Sequence, residues 1–243
     1  MTRGMFRISH IQIRVRDIRK AVADFRDAGF VVHWNEAVRA PNAFIWFPDG
    51  PFVEIMTMHN RLRFLTPVLG IFFGRPMAQR FNKWIDSPVG LCDLAIEPLD
   101  PVLRQVDELS GCRRLIDRVP GVRPSRVMTA HRPAESGGRV RFSFMGLLPR
   151  GLPFVASAHD IDQRPVNDPP HRNGARSIEE LRFVFGEAEW QMLLALVSER
   201  PDRVLRVIRP SEMGLSLAGL QEPIQVSGVL FDPFDPDRPD KKH

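Results

Sequence analysis

The chain has 243 residues, of which 43% are apolar and 26% are charged, and its formal net charge at pH 7 is +5. This composition is that of an ordinary globular protein and excludes wholesale disorder, while the length allows one large domain or two small ones. The longest apolar stretch, at 64–73, contains a proline and a glycine and is too short to cross a bilayer, so we expect no transmembrane segment.

The first part of the chain, 5–58, predicts a βαβββ module. The alternating pattern HIQIRV at 10–15 predicts a strand, and Asp17 is placed to cap a helix over 18–28 that ends at Gly29. Three more strands are predicted at 30–34, 42–47 and 51–58, and the turn at 48–50 joins the last two as a hairpin.

The next stretch, 59–88, predicts a basic, amphipathic, helical connector. Its apolar residues are set among Arg61, Arg63, Arg75, Arg80 and Lys83, and prolines and glycines divide it into short pieces. A helix that lies on a membrane surface has a similar pattern. A crossover or lid that packs on the domain is the more ordinary structure, and we expect that one.

The same order of elements recurs further along the chain. A second module, 89–162, has predicted strands at 91–98, 126–130, 139–145 and 152–158 and a helix at 101–109. After a proline-rich linker at 163–175, a third unit at 176–231 has a predicted strand at 177–185, a helix at 187–199 and short strands at 204–208, 214–217 and 224–230. The tail, 232–243, has few apolar residues and is expected to be disordered. The repeat predicts an α+β fold built from βαβββ modules.

Positive charge is carried by arginine, since only four of the 34 basic residues are lysines. Nine arginines but only two acids lie between Arg113 and Arg150. The arginine fork matches carboxylate and phosphate, which suggests an anionic small-molecule ligand, although a solvated surface explains the same pattern. Phe142 and Phe144 alternate with Arg141 as in a strand with a core face, and no nucleic-acid reading motif is present, so we expect no nucleic-acid partner.

Other function classes lack the motifs they would need. The sequence has no GxSxG elbow, P-loop, Rossmann fingerprint or CxxC pair, so hydrolase, nucleotide-binding and redox functions have no motif support. The two cysteines, Cys92 and Cys112, are expected to be reduced thiols in the core. The N-terminal sequence MTRGMFRISH has no apolar signal-peptide core, which predicts a cytoplasmic protein.

Several segments make the chain resemble the vicinal oxygen chelate superfamily, and within it the glyoxalase-like bacterial proteins. They are SHIQIRVRDIRKAVADFRDAGF, PNAFIWFPDGPFVEI, the pair ESGGRVRFSF and LPFVAS, and HRNGAR. The resemblance covers the chain up to about residue 185. It implies repeated βαβββ modules whose curved mixed sheets form a cleft, as in glyoxalase and bleomycin-resistance proteins.

The resemblance also implies a divalent metal in the cleft, held by a histidine on the first strand and a glutamate on the fourth. His10 and Glu54 match these two positions. An imidazole and a carboxylate suit zinc, iron, manganese or nickel and leave positions open for substrate oxygens.

The second half of such a metal site is incomplete in the sequence. Matching the second module to the first places Asp93 opposite His10, and Ala156, with His159 close by, opposite Glu54. Matching the third unit instead offers Glu180 and Gln225 as oxygen ligands. We therefore expect a degenerate cleft without metal, with one divalent metal as the alternative.

The candidates for substrate binding combine aromatic, amide and basic side chains. Aromatic residues line apolar pockets, while arginine, asparagine and histidine orient polar groups or transfer protons. The candidates are Trp34, Arg39, Asn42, Trp46, His131 and Arg141.

Two classes of function follow. The first is a metal-dependent lyase, isomerase or ring-cleaving dioxygenase that acts on a small anionic or carbonyl-containing molecule, with the metal polarising a carbonyl. The second is a metal-free protein that binds or sequesters a small molecule in the cleft, as in antibiotic resistance. We also expect a homodimer, because an unpaired third sheet would expose its edges.

Overall fold

The computed structural model describes residues 5–134, 138–197, 205–207 and 213–235, the stretch 205–207 by its backbone alone. The helices are α1 (Ile18–Asp27), α2 (Thr66–Phe73), α3 (Arg75–Asp86), α4 (Arg113–Ile116) and α5 (Glu187–Leu196). The strands are β1 (Phe6–Val15), β2 (Asn42–Ile45), β3 (Phe52–Thr57), β4 (Gly90–Pro98), β5 (Arg123–Pro124), β6 (Met128–Pro133), β7 (Arg139–Met145), β8 (Leu147–Leu148), β9 (Phe154–Ala156), β10 (Ser177–Phe183), β11 (Leu205–Val207), β12 (Gly214–Ala218), β13 (Ile224–Val226) and β14 (Val229–Pro233). No helix within these ranges has the length and apolar character needed to cross a membrane.

The first strand and helix form where the sequence predicts them. The Asp17 side chain caps α1 by accepting a hydrogen bond of 3.1 Å from the backbone N–H of Lys20. The helix ends before Gly29, whose positive φ of 86° suits a residue without a side chain. Both elements are confirmed, and the strand begins four residues earlier than predicted.

One mixed seven-stranded sheet contains the strands of the first and second predicted modules. Its strand order is β2-β3-β1-β4-β9-β7-β6. In each half the first strand runs parallel to the last, β1 beside β3 and β4 beside β9, and the two halves meet where β1 and β4 pair antiparallel. The halves therefore share this parallel pairing of first and last strand, and the second half has one more strand, β6, at its edge. The predicted α+β class, with βαβββ-type halves in a curved mixed sheet around a cleft, is confirmed.

A second, five-stranded sheet is formed by the residues that follow the proline-rich stretch, in the order β11-β10-β12-β14-β13. Its first strand, β10, lies between β11 and β12, so the pairing differs from that of the two halves above. Phe231 of this sheet contacts Phe25 and Phe30 with ring centroids 6.0 and 5.2 Å apart, so the two sheets share one core with α1. The division of the chain into three units stays a prediction, as does the homodimer.

The strand predicted at 30–34 is wrong. Alternate residues in it are buried, which explains the strand-like pattern, but only His33 pairs with another strand residue, Phe44. The backbone N–H of Val31 instead donates to Nδ1 of His171, at 2.9 Å. The Val31 N–H, which would pair with a neighbouring strand, is thus bonded to a side chain 140 positions away in the chain.

The helix predicted at 101–109 is also wrong. This stretch consists of turns closed by short-range backbone bonds, such as that from Gln105 N–H to the Val102 carbonyl at 3.0 Å. Val102 is exposed, while Val106 and Leu109 are buried. The segment therefore buries too little apolar surface to stabilise a continuous helix, because a short helix depends on packing rather than on propensity.

The predicted tail begins too early. Asp232 and Pro233 belong to β14, and the Asp232 carboxylate pairs with Arg182 of β10. Residues 236–243, and the parts of the predicted helix and strands at 198–204 and 208–212, lie outside the described residues. Cys92 and Cys112 are both buried, as expected.

Asp93, in the middle of β4, holds the connector on the sheet. Its carboxylate accepts hydrogen bonds of 2.8 and 2.7 Å from Arg80, 2.8 Å from Lys83 and 2.7 Å from Trp84 Nε1, all on α3. Burial alone would raise the pKa of Asp93, but the charges of Arg80 and Lys83 hold it below its ordinary value. The Arg80 and Asp93 side chains are fully buried, so each depends on the other for compensation of its charge.

We therefore expect Asp93→Asn to lower the free energy of unfolding by about 3 to 5 kcal/mol, because it leaves a buried guanidinium without its counter-charge. Urea denaturation measures this change. Asp24→Asn, which breaks the exposed pair with Lys20, is the matched control and is expected to change stability by no more than about 0.5 kcal/mol. Equal effects of the two substitutions would contradict the assignment.

A candidate ligand-binding cavity

A cavity of about 870 Å³ lies on one face of the seven-stranded sheet. Side chains of β1, β2 and β3 line one side of it, and side chains of β6, β7, β9 and α3 line the other. Its apolar wall includes Phe81, Trp84, Met128, Phe142, Phe144 and Phe154. The volume is in the range of small-molecule sites.

An irregularity in β1 brings two adjacent side chains to the cavity. The pairing with β4 shifts between Ile8 and His10, so Ser9 is left without a partner in the register. In a regular strand neighbouring side chains point to opposite faces, but a bulge re-aims one of them. Ser9 and His10 both line the cavity, and Ser9 Oγ lies 3.2 Å from Nδ1 of His10.

The polar part of the cavity is a cluster around Glu54, on β3. Asn42 Nδ2 donates to one carboxylate oxygen at 2.5 Å, Gln12 Nε2 donates to the other at 2.8 Å, and His10 Nε2 lies 3.4 Å from the latter. Strand register explains the grouping. Gln12 on β1 stands opposite Glu54, and Asn42 on β2 stands opposite Met56, two residues from Glu54 on the same face of β3. His10, two residues before Gln12, shares its strand face.

Glu54 is held in its ionised form. Burial would raise its pKa, but the hydrogen bonds and charge of His10, with the amide donors Gln12 and Asn42, lower the pKa from 4.5 to about 2. The carboxylate is thus a hydrogen-bond acceptor at neutral pH.

A second imidazole in the cavity is held neutral. Burial lowers the pKa of His159 to about 4, and the charges of Arg132 and His10 act in the same direction. Arg132 lies 3.5 Å from Nε2 of His159 and stacks over the Phe44 ring at 4.3 Å. At pH 7 His159 is therefore an uncharged group that can accept or donate a hydrogen bond.

Of the proposed metal ligands, the structure brings His10 and Glu54 together in the cavity. Asp93 is engaged by α3 and does not line it, and Glu180 and Gln225 lie on β10 and β13 of the other sheet. Ala156 of β9 does line the cavity but offers no donor atom.

These residues do not fit a divalent metal. Gln12 and Asn42 turn their NH₂ groups, which cannot bind a cation, towards Glu54, and the oxygen Oε1 of Gln12 is buried away from the open cavity. Within the described ranges no group of three or more His, Cys, Asp or Glu residues is placed to hold a metal ion. Two strong ligands seldom make a tight site.

The proposed substrate-binding residues divide into two sets. Asn42 and Trp46 line the cavity, and Trp34, whose Nε1 donates to the Ala40 carbonyl at 2.8 Å, lines an adjoining cavity of about 470 Å³. Arg39 is exposed in a turn and lines neither.

His131 and Arg141 stand opposite each other on β6 and β7 and lie outside both linings. Their neighbours Arg132 and Phe142 line the cavity instead, because strand residues alternate between faces. Arg141 is paired with Asp107 at 2.7 Å. The structure thus places the basic residue of this wall at position 132.

Sequence reasoning missed Ser9, Gln12 and Arg132 as cavity residues. The alternation that placed His10 also places Gln12 on the same face, so period two was a usable signal for it. No local sequence pattern predicts the bulge at Ser9 or which face of β6 carries Arg132. Both depend on how the strand pairs with another strand.

Comparisons with known proteins support the fold only. No protein-family model matches the sequence, and no curated protein matches it. The chain is similar in structure to a hypothetical protein from Staphylococcus aureus, with a TM-score of 0.64 and 12% identity over 95% of this chain and 100% of that one. At this identity the likeness shows a shared fold only and carries no information about function.

Two further solved structures superpose less well. They are methylmalonyl-CoA epimerase from Mycobacterium tuberculosis, with a TM-score of 0.34 and 18% identity over 65% of this chain and 90% of that one, and the 2,3-dioxygenase LapB from Pseudomonas sp. KL28, with a TM-score of 0.38 and 15% identity over 96% and 72%. These TM-scores are too low to support an argument about fold or function.

The low pKa of Glu54 predicts a specific pH dependence of stability. Its folded pKa lies below its ordinary value, so the stabilisation is complete above about pH 4.5 and is lost as the pH falls towards about 2. Between pH 6 and pH 3 we expect the wild type to lose roughly 2 kcal/mol more stability than Glu54→Gln, measured by urea denaturation at each pH. Glu36→Gln, at an exposed position, should keep the wild-type loss, and a Glu54→Gln variant that does the same refutes the prediction.

Proposed function

We propose that the protein binds a small, largely apolar organic molecule in the large cavity, with the polar end of the ligand at the His10–Glu54 cluster and without a metal ion. The observation that carries this proposal is the ionised Glu54, already held by two amide donors, facing a wall of aromatic side chains. A mostly apolar cavity with a few convergent polar groups is the common form of a small-molecule site.

The aromatic wall supports an apolar ligand body. Trp84 contacts Phe144 and Phe154 with ring centroids 5.9 and 5.3 Å apart, and Phe142 stacks on Phe144 at 6.1 Å. Because these rings hold one another in place, they form a rigid surface that loses little conformational entropy when a ligand binds.

The charge balance of the lining supports a neutral ligand rather than an anionic one. Among the residues that the structure describes, the basic side chains in the lining are Arg7, Arg104, Arg132 and Arg164, and the acidic ones are Asp49, Glu54, Glu97 and Asp162. Of the nine arginines between 113 and 150, only Arg132 is among them. The basic segment therefore adds little to the potential inside the cavity.

The same residues leave a metal-dependent lyase, isomerase or dioxygenase without support. Metal catalysis of a carbonyl needs a cation held by about three protein ligands with a position left open, and within the described residues no group of three or more His, Cys, Asp or Glu includes Glu54. A hydroxyl or N–H on the ligand could instead donate to the Glu54 carboxylate, which is an acceptor only.

A second function, metal-free proton transfer, is favoured by one observation. His159, neutral at pH 7 because burial lowers its pKa to about 4, lines the same cavity as His10. A neutral imidazole within reach of a ligand is a general base, so an isomerase that moves a proton beside a carbonyl is the alternative. His159→Gln would abolish such a reaction and leave ligand binding in place.

We expect 1-naphthol to bind and to quench the fluorescence of Trp46 and Trp84, both of which line the cavity. Phe142→Ala should weaken binding about tenfold by removing part of the aromatic wall. Arg141→Ala is the matched control, since this adjacent residue faces away from the cavity. Tighter binding of 1-naphthoate than of 1-naphthol would show that the ligand is anionic and contradict the proposal.

Added Zn²⁺ or Mn²⁺ is expected to change the midpoint of thermal unfolding by less than about 1 °C. A metal bound to the folded state at 100 times its Kd would add about 2.7 kcal/mol and raise the midpoint by several degrees. A large rise that disappears in both His10→Ala and Glu54→Ala would overturn the metal-free assignment.

A further inference from the structure

The connector exposes a cluster of apolar side chains on the side that faces away from the sheet. Twelve large apolar side chains are exposed among the described residues, and five of them lie between positions 64 and 72. These five form the connector patch: Phe64, Leu65, Val68, Ile71 and Phe72. Phe64 and Ile71 are 72% and 75% exposed. A concentration of this kind marks an interaction surface, whereas scattered exposed apolar residues do not.

Three residues of the connector patch lie on α2, which is apolar on all sides, and Phe64 and Leu65 lie in the short 3₁₀ helix Asn60–Leu65 just before it. Leu69 and Phe73, on the inner side of α2, pack against the cluster that contains Met77 and Trp84. No charged residue occurs between 66 and 73. A helix that is apolar all round is normally buried all round, so the outer side of α2 is suited to a second apolar environment.

Arginines surround the connector patch. Arg61 and Arg75, at either end of it, are exposed, and Arg63 is paired with Asp86 at 2.5 Å. Arg126 donates to the Phe72 carbonyl at 2.8 Å, which places its guanidinium at the end of α2. Asp86 is the only acid between 59 and 86.

The positive charge around the connector patch favours an anionic membrane surface over a second copy of the chain. Two copies of the chain joined through the connector patch would bring two basic rims together, and like charges at close range repel. Anionic lipid headgroups complement the rim, and the boundary beneath them accepts aromatic and aliphatic side chains.

We propose that the connector patch docks on the surface of membranes that contain anionic lipid. Phe64, Ile71 and Phe72 enter the boundary between headgroups and acyl chains, and Arg61 and Arg75 contact lipid phosphates. The contact lies in the interface plane, as it does for other apolar and basic helices that bind without spanning. It is independent of the ligand proposed for the cavity, so either proposal can fail alone.

The test is co-sedimentation of the full chain with vesicles of phosphatidylcholine mixed with phosphatidylglycerol, and with vesicles of phosphatidylcholine alone. We expect binding to the mixed vesicles to fall at least about tenfold in the triple variant Phe64→Ser, Ile71→Ser, Phe72→Ser. Arg61→Gln with Arg75→Gln should weaken binding to the mixed vesicles by roughly fivefold per arginine and make it less sensitive to salt.

The matched control is the triple variant Val38→Ser, Val102→Ser, Val166→Ser, which removes three exposed apolar side chains elsewhere and should bind as the wild type does. Because the substituted residues are exposed, unchanged thermal unfolding shows that each variant is folded. Equal sedimentation of wild type and connector-patch variant, or no binding to either vesicle, overturns the proposal. So does a wild-type dimer that the connector-patch variant converts to a monomer in light scattering without any vesicle binding, since the patch would then join two copies.

Discussion

The buried ion pair between Arg80 and Asp93 fixes the position of the connector helix α3 against the sheet. The carboxylate lies in the central strand pair and receives Arg80, Lys83 and Trp84 from successive turns of α3. Two fully buried opposite charges must stay together, because separating them would leave each without solvent and without a partner. The position of α3, and through it that of one cavity wall, follows from this requirement.

The same contact makes the two halves of the sheet chemically different. In the first half, His10, Gln12 and Glu54 face the open cavity, whereas in the second half Asp93 is covered by α3 and Ala156 has no polar atom. A site that the repeated topology would make symmetric therefore has its Glu54 cluster in the first half only, while the second half contributes the rings of Phe142, Phe144 and Phe154 with neutral His159. Such an arrangement suits a molecule with a polar end and an apolar body.

The connector has two apolar sides with different roles. Its inner side completes the cavity through Phe81 and Trp84, and its outer side carries Phe64, Ile71 and Phe72 in a basic surround. Burial of the first side explains why the helices form here at all, since short helices depend on packing. The second side stays largely exposed in a single chain, and this exposure is the basis of the proposed contact with a membrane surface.

Local sequence patterns predict the first strand and helix and half of the polar cluster. Asp17 and Gly29 bound a helix through short-range hydrogen bonds and backbone preference, and period two placed His10 on a strand face with Gln12. Three features follow only from the folded chain: Asp93 binds α3 and does not line the cavity, the strand pairing shifts at Ser9, and Arg132 rather than Arg141 faces the cavity. The physical reason is that burial, register and charge compensation depend on strands and helices far apart in the chain, and no local pattern encodes them.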